Sequence, residues 1–117
     1  MLLTGLSSFG EEPIEIEIQV SPSTLNLKNQ GTWVTVHTDI AYSAVAGASV
    51  TLNGVDINWW KSDNQGNFVA KFVIQDIKNL PLLIGELNTL TLSGTTKDGK
   101  EFSGSADVMV IEVSGKN

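Results

Sequence analysis

Seven residues near the start of the chain alternate without a fault. Ile14, Ile16, Ile18 and Val20 are apolar, and Glu15, Glu17 and Gln19 between them are polar. A strand sends successive side chains to opposite faces, so this period of two predicts a half-buried strand with the four aliphatics inward. Ser21-Pro22-Ser23 ends it. Thr24 to Leu27 reads as a short second strand at a sheet edge, because Pro22 cannot donate to a ladder. After a turn at Lys28 to Gly31, Thr32 to Ile40 predicts a long strand. It places Val34, Val36, Thr38 and Ile40 inward and Trp33, Thr35, His37 and Asp39 outward.

Tyr42 to Gly47 is rich in small residues and reads as a loop. Ser49 to Asn53 and Val55 to Trp60 read as two strands around Asn53-Gly54, the dipeptide that tight hairpin turns favour. Lys61 to Asn67 is a polar turn. Phe68, Ala70, Phe72 and Ile74 then alternate inward. Ile77, Leu80, Leu83 and Ile84 have near-helical spacing with Pro81 among them, which predicts a single helical turn within Asp76 to Gly85. Leu87 to Thr96 and Glu101 to Val113 are strands joined by a hairpin turn at Lys97 to Lys100. Near the end of the last strand the phase shifts, because Ile111 and Val113 are apolar as well as Val108 and Val110. A bulge, or burial on both faces, accounts for that.

The pattern as a whole predicts an all-β fold: an immunoglobulin-like β-sandwich of about seven to eight antiparallel strands with one short helical turn. The core is expected to hold Ile16, Ile18, Val34, Val36, Leu52, Phe72, Leu92 and Val108. The sandwich spans residues 14–113, with an N-terminal arm at 1–13 and a C-terminal tail at 114–117. The arm stands outside the alternation. It carries four large apolar residues, Leu2, Leu3, Leu6 and Phe9, that the strand pattern does not need.

Composition narrows the function. The chain has 117 residues, which suits one domain. It has no cysteine, so neither a disulfide framework nor thiolate chemistry is available. Seven lysines, no arginine and thirteen carboxylates give a net charge of −6. Binding to nucleic acid draws on cations against phosphate and on arginine at base edges, so no nucleic-acid partner is expected. An anionic membrane surface would repel the chain, and no apolar run approaches the length of a membrane span. The first ten residues lack the basic start and apolar run of a secretory signal, so a chain made without an export signal of its own is expected.

Few residues suggest chemistry. Asp63, Gln65 and Asn67 alternate as the first ligands of a calcium loop would, but the turn has a single carboxylate and no bidentate glutamate follows. His37 is the only histidine, too few for a zinc site. Glu15 and Glu17 share a strand face without a sign of a cleft. No catalytic residue, metal or cofactor is therefore expected. Trp33, Trp59, Trp60 and Tyr42 suit the stacking of a sugar ring, and adjacent Trp59 and Trp60 must point to opposite faces, one into the core and one outward. The residues expected to meet a partner are Leu2, Leu3, Leu6, Phe9 and Trp60.

Residues 19–113 are similar to an immunoglobulin-like module found in bacterial, archaeal and phage-encoded proteins. The resemblance is carried by Ser21 to Lys28 (Ser-Pro-Ser-Thr-Leu-Asn-Leu-Lys), Trp33 to Val36, Val50 to Gly54, the Lys71-Phe72 pair and the closing Asp98 to Gly104 hairpin. It implies an immunoglobulin-like fold at extracellular or virion surfaces, and no activity. Members of this kind often have an acidic calcium loop where this chain has Asp63 to Asn67, a departure that argues against calcium. As a stand-alone chain with an apolar arm, it looks like a phage capsid decoration (cement) protein. That implies a non-enzymatic virion accessory protein on the capsid surface, its partner the shell or copies of itself in a homo-oligomer such as a trimer. The alternative is a cell-surface adhesion or carbohydrate-binding module of a larger secreted protein.

Overall fold

Buried aliphatic and aromatic side chains on alternating positions draw the strands into two facing sheets. The computed structural model describes residues 13–114. The strands are β1 (Ile14–Glu15), β2 (Ile18–Ser21), β3 (Thr24–Asn26), β4 (Trp33–Ala41), β5 (Val45–Leu52), β6 (Val55–Asp56), β7 (Trp59–Ser62), β8 (Asn67–Val73), β9 (Glu86–Thr96) and β10 (Glu101–Ile111). A 3-10 turn covers Tyr42–Ala44 and a short helix α1 covers Ile74–Lys78. One sheet has the order β1-β10-β9-β5-β6, with β3 also on β10, and the other has β2-β4-β8-β7. The fold is an all-β sandwich.

All eight positions expected in the core are buried, Val36, Leu52, Phe72 and Leu92 completely. Phe68, Phe72 and Phe102 are the largest fully enclosed side chains and fill the space between the sheets. Asn53 (φ 48°) and Gly54 (φ 85°) make the two-residue β5–β6 hairpin, which pairs Leu52 with Val55. Positive φ at both central positions matches the twist of the flanking strands.

Several expectations are corrected. The strands are not all antiparallel: β1 and β3 both run parallel to β10, pairing Ile14 with Phe102 and Leu25 with Val110. The unbroken alternation of Ile14 to Val20 is two strands, because the chain leaves β10 after Glu15 and joins β4 in the other sheet from Ile18. Ile14, expected inward, is 42% exposed at that outer edge. Val45 to Gly47 is strand rather than loop. Val55 to Trp60 divides into β6 and β7, which lie in different sheets. The helix starts earlier than expected, burying Ile74 and Ile77, while Leu83 and Ile84 lie beyond it in the open. No bulge interrupts the pairing of β9 with β10, which is regular from Glu101–Thr95 to Val110–Glu86.

The crossover between sheets depends on Gly104. A Cβ there would stand 2.5 Å from the main-chain oxygen of Ile16 and 2.9 Å from Ile16 Cγ1. The absence of a side chain lets the chain pass close over β10, where the Ile16 N–H donates to Ser103 O at 2.9 Å. Strand directions also fix two poles. Pro13 enters at the pole of the 42–44, 63–66 and 97–100 turns. The opposite pole holds the Asn53-Gly54 turn, α1, the 79–85 segment and the end of β10.

Candidate interaction surfaces

At the second pole the segment after α1 has to bring the chain onto β9. Leu80 and Leu82 pack against the core, while Leu83 and Ile84 between them and β9 face outward. Leu83 is 58% exposed, Ile84 53%, Leu87 61% and Val113 53%. The register sets Leu87 beside Met109 on the outer face, and Ile111 follows on the same face of β10. The apolar phase shift of the last strand is therefore an outward stripe.

Hydrogen bonds hold this pole in place. Asn88 clamps Leu83 from both sides: the Leu83 N–H donates to Asn88 Oδ1 at 2.7 Å, and Asn88 Nδ2 donates to Leu83 O at 2.9 Å. The Gly85 N–H donates to Val110 O at 2.6 Å. Asn26 does the same for Val113, accepting from its N–H at 3.2 Å and donating to its carbonyl at 3.1 Å. Exposed leucine, isoleucine and valine side chains thus sit on a backbone already fixed. Along β9 and β10 the same outer face becomes polar, with Thr91 and Ser105 hydroxyls 2.8 Å apart and Thr89 donating to Asp107 at 2.7 Å.

The tryptophans divide between two surfaces. Trp60 lies opposite Ala70 on the inward side of β7 and reaches across to β5, where its indole occupies the space a Cβ on Gly47 would need. Trp59 points to the outer face, edge-on to Trp33 at 5.9 Å between centroids, with Lys71 Nζ 5.6 Å from its ring. Lys71 also donates to Thr35 Oγ1 at 2.9 Å. Trp59 and Trp60 do point to opposite faces, but neither enters the core: they are 38% and 36% exposed. Among the described residues their strand is the outermost of its sheet. Tyr42 stacks on Phe68 at 6.4 Å, away from this pair.

The Asp63 to Asn67 turn uses its carboxylate internally. Asp63 Oδ1 accepts from the N–H groups of Asn67 at 2.9 Å and Gln65 at 2.8 Å. These bonds, that from Asn67 first, hold the Asp63 carboxyl below its ordinary range. The Thr96 hydroxyl acts likewise on Asp98 in the β9–β10 turn. Among the described residues no group of three or more His, Asp or Glu is placed to hold a metal ion, and no helix is long and apolar enough to cross a membrane. His37 on β4 and Glu15 on β1 are exposed, and Glu17, expected on the same strand face as Glu15, is exposed in the link between β1 and β2 instead.

Of the residues expected to meet a partner, Trp60 is placed on the outermost strand just described. Leu2, Leu3, Leu6 and Phe9 lie outside the described residues, as do residues 115–117 of the tail. The Leu83, Ile84, Leu87 and Val113 surface was not anticipated. Its signal in the sequence was the surplus of apolar residues at Met109, Ile111 and Val113. No family model matches the chain, no curated protein matches it, and no solved structure matches it.

Proposed function

We propose that the chain is a non-enzymatic accessory module of immunoglobulin-like type that attaches by surface contact to a larger protein assembly, a phage capsid shell. The strand orders support the immunoglobulin-like assignment. β2-β4-β8-β7 corresponds to the A-B-E-D sheet of that fold, and β5-β9-β10 to C-F-G. The observation that carries the binding role is the apolar surface of Leu83, Ile84, Leu87 and Val113, held by the Asn88 and Asn26 clamps. Exposed apolar clusters rimmed by polar residues mark sites of protein contact, and a fixed backbone reduces the entropy lost on docking. Many copies on a symmetric shell would hold it by avidity, each contact being weak. A net charge of −6 keeps such a coat from adhering to nucleic acid.

Co-sedimentation with the empty shells of the phage concerned tests the reading. Binding that saturates at a whole-number ratio to the shell subunit supports it, and absence of binding defeats it. A second reading, glycan binding by an adhesion module, draws on Trp59, Trp33 and Lys71 on the outer face of β7, β4 and β8. It requires glycan-array binding that Trp59→Ala abolishes, with no affinity for shells.

A further inference from the structure

We propose that the apolar pole of one molecule receives the N-terminal segment, residues 2–9, of a second copy in a head-to-tail contact. This rests on the surface-contact reading above and names the partner of that surface. The direction of β1 carries it. β1 runs parallel to β10 with Ile14 level with Phe102, so Pro13, the first described residue, stands at the Phe102 end. Leu87 is level with Met109, seven residues further along β10. At roughly 3.3 Å per residue that is about 23 Å. Phe9 is five residues from Ile14 and reaches at most about 18 Å from it. Its backbone stops about 5 Å short of the Leu87 level of its own molecule even when it doubles straight back. Leu6, with a limit of about 29 Å, could reach it only by doubling straight back at full extension, and only Leu2 and Leu3, with limits of about 43 and 40 Å, have reach to spare, so docking within one molecule would leave half of the apolar residues of the segment without this partner.

In a neighbour stacked with its apolar pole against this end, the same residues run forward onto Leu83, Ile84, Leu87 and Val113. Leu2, Leu3, Leu6 and Phe9 then meet apolar partners along a segment whose first ten residues carry no charged side chain. The contact joins two different surfaces, so it is heterologous and propagates from copy to copy until a ring closes.

The test uses the full chain and two charged variants, Leu83→Asp/Leu87→Asp at exposed positions of the pole and Leu6→Asp/Phe9→Asp in the N-terminal segment. Light scattering is expected to give the parent a multiple of its 12.5 kDa mass, and each variant alone the monomer mass. Mixed one to one, the two variants are expected to form a two-chain species, since each supplies the half that the other lacks. Near-ultraviolet circular dichroism confirms that both fold as the parent does. A monomeric parent overturns the proposal, as does a mixture that stays monomeric. If the arm variant loses self-association and the pole variant keeps it, the segment docks elsewhere and the proposal falls. Shell co-sedimentation, measured separately on the parent, decides whether the attachment reading falls with it.

Discussion

Replacing Gly104 by alanine tests the crossover that brings the N-terminal chain across the sandwich. The new methyl would overlap the Ile16 carbonyl oxygen at 2.5 Å and approach Ile18 Cγ2 at 3.0 Å. Two responses compete. The chain can absorb the overlap, at the usual overpacking cost of about 1–3 kcal/mol. Or it can lift off β10, losing the Ile16–Ser103 hydrogen bond at about 1 kcal/mol and the burial of Ile16 at about 2 kcal/mol. The cheaper response prevails, so the cost cannot exceed about 3 kcal/mol. Removing a glycine also restricts the unfolded chain, which returns about 0.4–1 kcal/mol. The net expectation is a loss centred on about 1.3 kcal/mol and no greater than about 2.6 kcal/mol, read from the urea midpoint at unchanged m. Gln19→Ala, exposed on β2, is the control and should stay within about 0.5 kcal/mol. Amide exchange adds a local readout: the Ile16 N–H should lose protection before the core strands do. A Gly104→Ala protein as stable as its control would refute the reasoning, because the crossover would then have room that the geometry denies.

Phe72→Ala should cost about 3–5 kcal/mol by denaturant titration, since the ring is fully enclosed, whereas Ile14→Ala at the exposed edge should cost less than 1 kcal/mol. Asp63 and Asp98 have folded pKa values below the ordinary 3.8, so their contribution is complete above that pH and is lost as pH falls through the lowered values. An acid titration should show the parent losing stability below pH 3.8, with a shallower loss in Asp63→Asn. Calcium at millimolar level should leave the melting temperature unchanged, because the Asp63 carboxylate already accepts two backbone N–H groups; a calcium-dependent rise would contradict this. Gly47→Ala should displace Trp60 and red-shift the tryptophan emission, and an unchanged spectrum would mean that the indole does not rest on Gly47.

What the sequence made legible was the direction of each side chain. Alternation through Val34 and Val36, Phe68 to Phe72 and Leu90 to Leu92 identified the core, because a period of two decides which face is buried regardless of which strands pair. Pairing was another matter. The passage from β1 to β2 leaves no trace in Ile14 to Val20, since a chain moving between two sheets that share one core keeps Ile16 and Ile18 buried through the change. The parallel partners of β10 are set by contacts some 85–90 residues away in sequence, which no local pattern encodes. Val55 to Trp60 similarly contains no glycine or proline to mark the change of sheet at Ile57 and Asn58. The helix was placed late because Ile74 fits both the end of the β8 alternation and the spacing to Ile77. The outward apolar pole was visible as surplus hydrophobicity, but periodicity alone does not distinguish a buried second face from an exposed one.

The two parallel strands also determine how the domain bears load. The chain enters beside Phe102 and β10 ends beyond Ile111 at the other pole, so a pull on Pro13 and Val113 acts along the strands. The bonds from Ile16 to Ser103, Met109 to Ser23 and Leu27 to Ile111 are then strained together in shear, instead of opening one after another from an end. Resistance to force follows the rate of unfolding rather than equilibrium stability. A protein tethered through its N-terminal segment while its opposite pole is drawn outward would therefore resist rupture more than its modest size suggests.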